Sequence, residues 1–221
     1  MIIMFDLRRM TAKGKTPFRR RGFGQSMIEA IIASGIIATA VSSSLTLVSA
    51  SVSAEKESES GIIAANLARE GIEIARMVRD SNWLAGEEWS LGLAGAAADR
   101  TAIPAFSPAD RRWSLDYGAV VAIEDDAAQV YRYVSNSAEP AATVGLYVQA
   151  AEQPAGTVVS PFRRLVTTDV LCDVAGMVTI LESGVVCAGE EIGVRVRSRV
   201  QWLSSSRPRR LEIVEQMYNW R

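Results

Sequence analysis

From Ala30 to Ala54 the chain runs for 25 residues without a charged, proline or amide side chain. As a helix this run covers about 37 Å at ~1.5 Å per residue, enough to cross the hydrocarbon core of a bilayer. Small residues recur in it at every fourth position: Ala30, Ser34, Ala38, Ser42, Thr46, Ala50 and Ala54. That spacing lets helix backbones approach closely in lipid, although a run so rich in Ala and Ser produces such a stripe by chance as well. After a charged collar at Glu55–Ser60, Ile63, Leu67, Gly71, Ile74 and Val78 recur in steps of four and three. This is the period of an amphipathic helix, and it predicts that the helix continues from Ser26 to about Asn82. The opposite face carries Arg69, Glu73, Arg76 and Asp80, read as a solvated face with Arg69–Glu73 and Arg76–Asp80 as i, i+4 pairs.

The pattern then changes. Trp83–Arg112 is rich in Gly and Ala, holds Pro104 and Pro108, and shows no sustained period. It predicts a connecting loop, placed at residues 84–113. Strand candidates follow at Ser114–Ile123, Gln129–Ser135, Gly145–Gln149 and Arg163–Val170. The clearest is Glu191–Trp202, where Ile192, Val194, Val196, Ser198, Val200 and Trp202 alternate with Gly193, Arg195, Arg197, Arg199 and Gln201. Strict period two predicts a half-buried antiparallel strand with one arginine-rich face. Ser204–Arg209 reads as a turn and Arg210–Tyr218 as the return strand. The fold class expected is α+β: a long N-terminal helix, with a transmembrane part at 25–54 and an amphipathic part at 55–83, packed against an antiparallel β head at 114–221.

Charge adds a direction. The first 24 residues hold seven basic side chains (Arg8, Arg9, Lys13, Lys15, Arg19, Arg20, Arg21) against Asp6 alone, leaving 17 basic and 24 acidic residues in the rest. A basic segment before an apolar helix places residues 1–24 in the cytoplasm and the body outside. The chain contains no histidine, which excludes Ser-His-Asp and Cys-His catalysis and removes the commonest zinc ligand. Asp125-Asp126 is a loop pair without a partner in the sequence, and Leu91–Ala98 lacks a phosphate-loop pattern. No catalytic residue, metal site or cofactor is expected, and the chain is not read as an enzyme.

Residues Arg19–Ile37 read RRRGFGQSMIEAIIASGII. This resembles the class III leader of type IV prepilins and type II secretion pseudopilins: a basic leader ending in Gly, four mostly apolar residues, Glu as the fifth, then a long apolar helix. Residue by residue, Gly24 matches the glycine before the cut, Gln25 the first mature residue, and Glu29 the fifth. The sequence departs from the family at Gln25, where Phe is usual. Phe23 fills that place only if cleavage follows Gly22, and Glu29 is then seventh. The proline usual two-thirds along the helix is also missing, with Thr46 near its place. Leu67–Trp83 looks like the segment found after the membrane helix in minor-pilin-like sequences.

The resemblance implies a leader cleaved between Gly24 and Gln25 by a prepilin peptidase, with the new amine usually methylated. It further implies that the amine of Gln25 in one subunit neutralises Glu29 of its neighbour. Glu29 lies about 6 Å along the helix from Gln25, and a carboxylate in apolar surroundings needs such a partner or the interface. The partners implied are other pilin subunits through the helix, the peptidase, a pilus assembly platform and the membrane.

Two alternatives remain from the residues alone. One is a conventional signal peptide cut after Val52-Ser53-Ala54, though its apolar core would be much longer than the usual ~7–15 residues. The other is a membrane anchor holding an extracellular binding module outside any filament. In an exported chain Cys172 and Cys187, fifteen residues apart, are expected to form one disulfide, with two unpaired core thiols as the alternative. A single C-terminal disulfide also fits the family. The arginine row at Arg195, Arg197 and Arg199 reads as a solvent face balanced by Glu212 and Glu215, in preference to a grip on an anionic partner such as nucleic acid.

Overall fold

The computed structural model describes residues 23–93, 100–107, 112–118, 122–134, 144–181, 185–204 and 206–219. Among the described residues one α-helix, one short 3-10 helix at Asp126–Ala128 and eight strands make an α+β fold: α1 Phe23–Ala85, β1 Thr101–Ser107, β2 Arg112–Asp116, β3 Gln129–Tyr133, β4 Tyr147–Gln149, β5 Thr157–Val174, β6 Met177–Leu181, β7 Glu190–Ser204 and β8 Arg207–Tyr218. By its internal contacts the chain divides into residues 1–54 and residues 55–221.

In the first of these units the described residues are helical. Their apolar side chains, among them Ile28, Ile32, Ile36, Val41, Leu45 and Val52, are exposed. Most of the hydroxyls do not demand water. Ser34, Thr39, Ser42, Ser43, Ser44, Thr46 and Ser53 each donate to a backbone carbonyl three or four residues back, at 2.8–3.0 Å. Such back-bonding satisfies the polar groups inside the helix, which is what a lipid surrounding requires. The segment is long and apolar enough to cross a membrane.

In the second unit β5 is the central strand. Along one edge it pairs with β7 from Phe162↔Trp202 to Asp173↔Glu190, and β7 pairs in turn with β8. Its other edge is shared by β3 at the start, β1 in the middle and β6 at the end, all antiparallel. Beyond them β4 pairs with β3, and β2 with β1. The helix packs on one face of this sheet. Ala64, Leu67 and Ala68 join Phe162, Val130, Val200 and Trp202; Ile72, Ile74 and Ala75 join Val166, Val194, Val196 and Met217. A smaller cluster of Ile103, Ile123, Ala128 and Leu165 covers part of the other face.

Gly71 marks the closest approach of helix to sheet. A side chain there would collide with Ser198 Oγ and press on Val166, so the amphipathic stripe needs a gap at this position. The C-terminus of α1 is closed by Gly86 N–H donating to Trp83 O and by Glu87 N–H donating to Asn82 O. The buried Asn82 amide donates to Trp89 O and Leu91 O, holding the chain that follows against the helix end.

Several expectations change in detail. The 84–113 loop contains β1 and the start of β2. The strand expected at 114–123 stops at Asp116, and Ile123 instead fills the small cluster. The strand expected at 163–170 is eighteen residues long, and β6 was not anticipated. The turn expected at 204–209 is mostly strand, since Leu203 pairs with Pro208 and Ser204 with Arg207. Proline explains most of this. Pro104 and Pro208 lie where their strands have a partner on one side only, and Pro161 lies at the register shift between β3 and β5. In each place a missing N–H costs no ladder bond.

Candidate functional site

The residues singled out for processing and assembly lie at the start of α1. Gly24 and Gln25 belong to the helix backbone, and their side chains fall outside the described residues, as does the whole of 1–22. Glu29 is exposed, one helical turn beyond Gln25. Between Ser26 and Ala54 it is the one ionisable side chain, and it makes no ion pair among the described residues. Around it Met27, Ile28, Ile31 and Ile32 are exposed apolar groups. An isolated carboxylate among exposed apolar side chains is suited to a partner that brings both apolar surface and a positive charge.

Cys172 and Cys187 form a disulfide with Cα atoms 5.7 Å apart. The bridge ties β5 to the chain just before β7. Buried Arg100 supports the same loop, donating to Leu181 O at 2.7 Å and Val185 O at 3.0 Å. Two carbonyls and a covalent bond thus hold the two ends of the segment that crosses from β6 to β7.

The sheet holds a second set of polar contacts that sequence reasoning missed. Arg164 is fully buried on the helix side of β5. Its Nη1 donates to Glu70 Oε2 at 2.7 Å and to Leu67 O at 3.1 Å, while Nε donates to Gln149 Oε1 at 2.9 Å. The Gln149 amide returns a bond to Arg164 O and another to Ala128 O. Burial pulls the Arg164 guanidinium below its usual value, and the adjacent Glu70 carboxylate counters that pull. A buried arginine is tolerable when its donors are met this fully. The strand expected at 163–170 opens on two adjacent arginines, and period two sends one of them, Arg164, to the helix side.

The arginine row is paired differently from expectation. Arg199 meets Glu212 at 2.8 Å, as the register requires. Glu215 instead lies opposite Val196, on the helix side, and binds Arg76 of α1 at 2.6 Å. Arg195 and Arg197 both bind Asp169, a buried carboxylate on β5, at 2.7 and 3.2 Å. The predicted Arg76–Asp80 pair is replaced by contacts of Arg76 with Glu73 and Glu215 and of Arg79 with Asp80. These charges hold elements together and are largely neutralised within the fold. Asp125 is likewise structural, its Oδ2 accepting from Ala122 N–H at 2.8 Å.

Among the described residues no group of His, Cys, Asp and Glu is arranged to hold a metal ion. A surface groove of low polarity is lined by Ile63, Asn66, Leu67, Glu70, Leu146 and Tyr147. Its carboxylate is Glu70, already engaged by Arg164. Compared with known proteins, the chain matches no family model, no curated protein and no solved structure.

Proposed function

We propose that this chain is a structural subunit of a type IV pilin-like filament, of the minor pilin or pseudopilin kind, made as a precursor and inserted in the membrane through α1. The observation that carries the reading is the exposed apolar surface of α1 from Ser26 to Ala54, interrupted by a single carboxylate, Glu29. In the membrane that surface meets lipid. In a filament it meets the equivalent surfaces of neighbouring subunits, where small side chains permit close packing.

Glu29 gives the arrangement a register. A carboxylate dragged into an apolar core costs on the order of a few kcal/mol, and a cation at the right height recovers much of it. Cleavage after Gly24 creates such a cation, the α-amine of Gln25, at the end of each subunit. Pairing of that amine with Glu29 of the adjacent chain then sets where an incoming helix stops. The basic leader has meanwhile fixed the direction of insertion, with the β head outside.

The reading is tested by the mature N-terminus. Intact-mass measurement of membrane-extracted protein is expected to show loss of residues 1–24, with or without one methyl on Gln25. A chain beginning at Glu55 would instead mean ordinary secretion, and an uncut chain a simple anchor.

A further inference from the structure

The end of the β7–β8 hairpin is fixed at one level of the helix. Arg209 of β8 binds the Glu57 carboxylate of α1. Arg210, at the same end, is exposed and makes no ion pair among the described residues, whereas Arg207, opposite Ser204, shares the helix side with Arg209. The register sets Arg210 opposite Gln201 and Leu203 opposite Pro208. These residues share the sheet face that bears Arg195, Arg197 and Arg199, the face turned away from α1. Leu203 is 67% exposed. The hairpin end therefore presents an apolar side chain beside one free cation on this face.

The helix presents the complement at the same level. At about 100° per residue, Glu55, Glu59 and Ile62 fall within about 60° of one another, and Glu57 lies roughly opposite them. Since Glu57 faces the hairpin, this stripe faces away from it. Glu55 and Glu59 are exposed and make no ion pair among the described residues. Ile62 is 61% exposed. All of these residues belong to the 55–221 unit.

We propose that the hairpin end of one copy docks on the Glu55–Glu59–Ile62 stripe of a second copy of this chain. Leu203 covers Ile62, and Arg210 meets Glu55 and Glu59. The two patches lie on opposite sides of the fold, so one molecule does not satisfy its own. A contact between two different patches is heterologous: it repeats from copy to copy instead of closing a pair. The inference rests on the filament reading for its setting and adds to it a surface on the head. An anionic lipid surface is a poorer occupant, because Glu55, Glu57 and Glu59 stand at the same level as the arginines and oppose its approach.

The test uses the full-length chain in its native membrane. Ile62→Cys and Leu203→Cys are placed on two co-expressed copies, oxidised, and separated without reductant. A cross-linked dimer is expected when both variants are present and is absent with either alone; both changes in one chain give a ladder of multiples. Arg210→Glu is expected to lower the cross-link at least about tenfold, and adding Glu55→Arg with Glu59→Arg to restore it. Absence of the cross-link, or indifference to the charge reversal, overturns the contact. A loss that the compensating changes do not restore assigns Arg210 to another partner, such as a lipid headgroup, and overturns it equally. Filament content is scored separately on the unmodified chain. Cross-linking without filament incorporation keeps the contact and removes the filament, and incorporation without cross-linking does the reverse.

Discussion

Arg164 and Arg199 sit on neighbouring strands, and each pairs with one carboxylate, yet their surroundings give the pairs different weights. Arg164 is buried with Glu70, Gln149 and the Leu67 carbonyl around it. Removing it strands several polar groups at the helix–sheet contact. Arg199 and Glu212 keep about a third of their surface in water, where such a pair contributes under ~1 kcal/mol. Arg164→Ala is therefore expected to lower unfolding stability by about 3 kcal/mol, towards the low end for a broken buried pair because Glu70 retains some water. Arg199→Ala should cost less than a third of that. Denaturant midpoints of the two variants in detergent check the ranking, and equal losses would contradict it. Tyr117 supplies a pH test on the same fold. Its hydroxyl donates to Leu93 O at 2.6 Å, and burial raises its pKa from 10.0 to about 12. The folded state thus holds this proton more tightly than the unfolded chain does. Its contribution is complete below about pH 10 and is lost as pH rises towards 12, by an amount on the order of 2–3 kcal/mol. Tyr117→Phe should flatten the loss of stability between about pH 10 and 12; an unchanged slope would count against it.

Among the elements, the ones with a strong period were legible and the ones interrupted by proline were not. The helix was expected to end near Asn82 and ends at Ala85, and the arginine-alternating strand was placed within two residues at each end. Period carries this information because burial on one face leaves its mark at every second or every fourth position. β1 was missed because Pro104 and Pro108 mark its segment as a loop, and the first part of β5 holds Pro161 ahead of the strand expected at 163–170. A sequence does not reveal which edge of a strand will be left unpaired or where a bulge will fall. β6 was missed for another reason. It owes its place to a tight turn at Ala175 and Gly176, both with positive φ (55° and 83°), and to pairing with β5. The disulfide was legible from the cysteine count, whereas its support by Arg100 was not, because that contact spans 81 residues. Cys172 and Cys187 are expected to resist alkylation until a reductant is added. Reduction should then lower the stability of the head by roughly 3 kcal/mol, the chain-entropy value for a loop of this size. Labelling of both thiols without reductant would contradict the bridge in the exported protein.

At the scale of the whole molecule, the sequence carried the candidate site further than the fold could. The spacing of Gly24, Gln25 and Glu29 after a basic leader is a pattern of chemistry, and the structure adds to it the exposed apolar surface around Glu29. The charges of the head were harder to read. Their partners, Glu70 for Arg164 and Asp169 for Arg195 and Arg197, depend on strand register and helix placement that no local pattern encodes. The central claim is that Glu29 pairs with the amine of a neighbouring subunit, and this separates a filament subunit from an anchored domain. If Glu29 merely sits at the interface, Glu29→Ala is neutral, or favours the membrane by removing a charge from an apolar helix. If it is paired, its loss leaves the neighbour's amine uncompensated, at about 3–5 kcal/mol for each contact. The direct measurement is the amount of the chain in sheared surface filaments relative to membranes, for the wild type and Glu29→Ala. Normal export and cleavage with at least about tenfold less Glu29→Ala in the filaments is the predicted result; equal incorporation of the two would contradict the account.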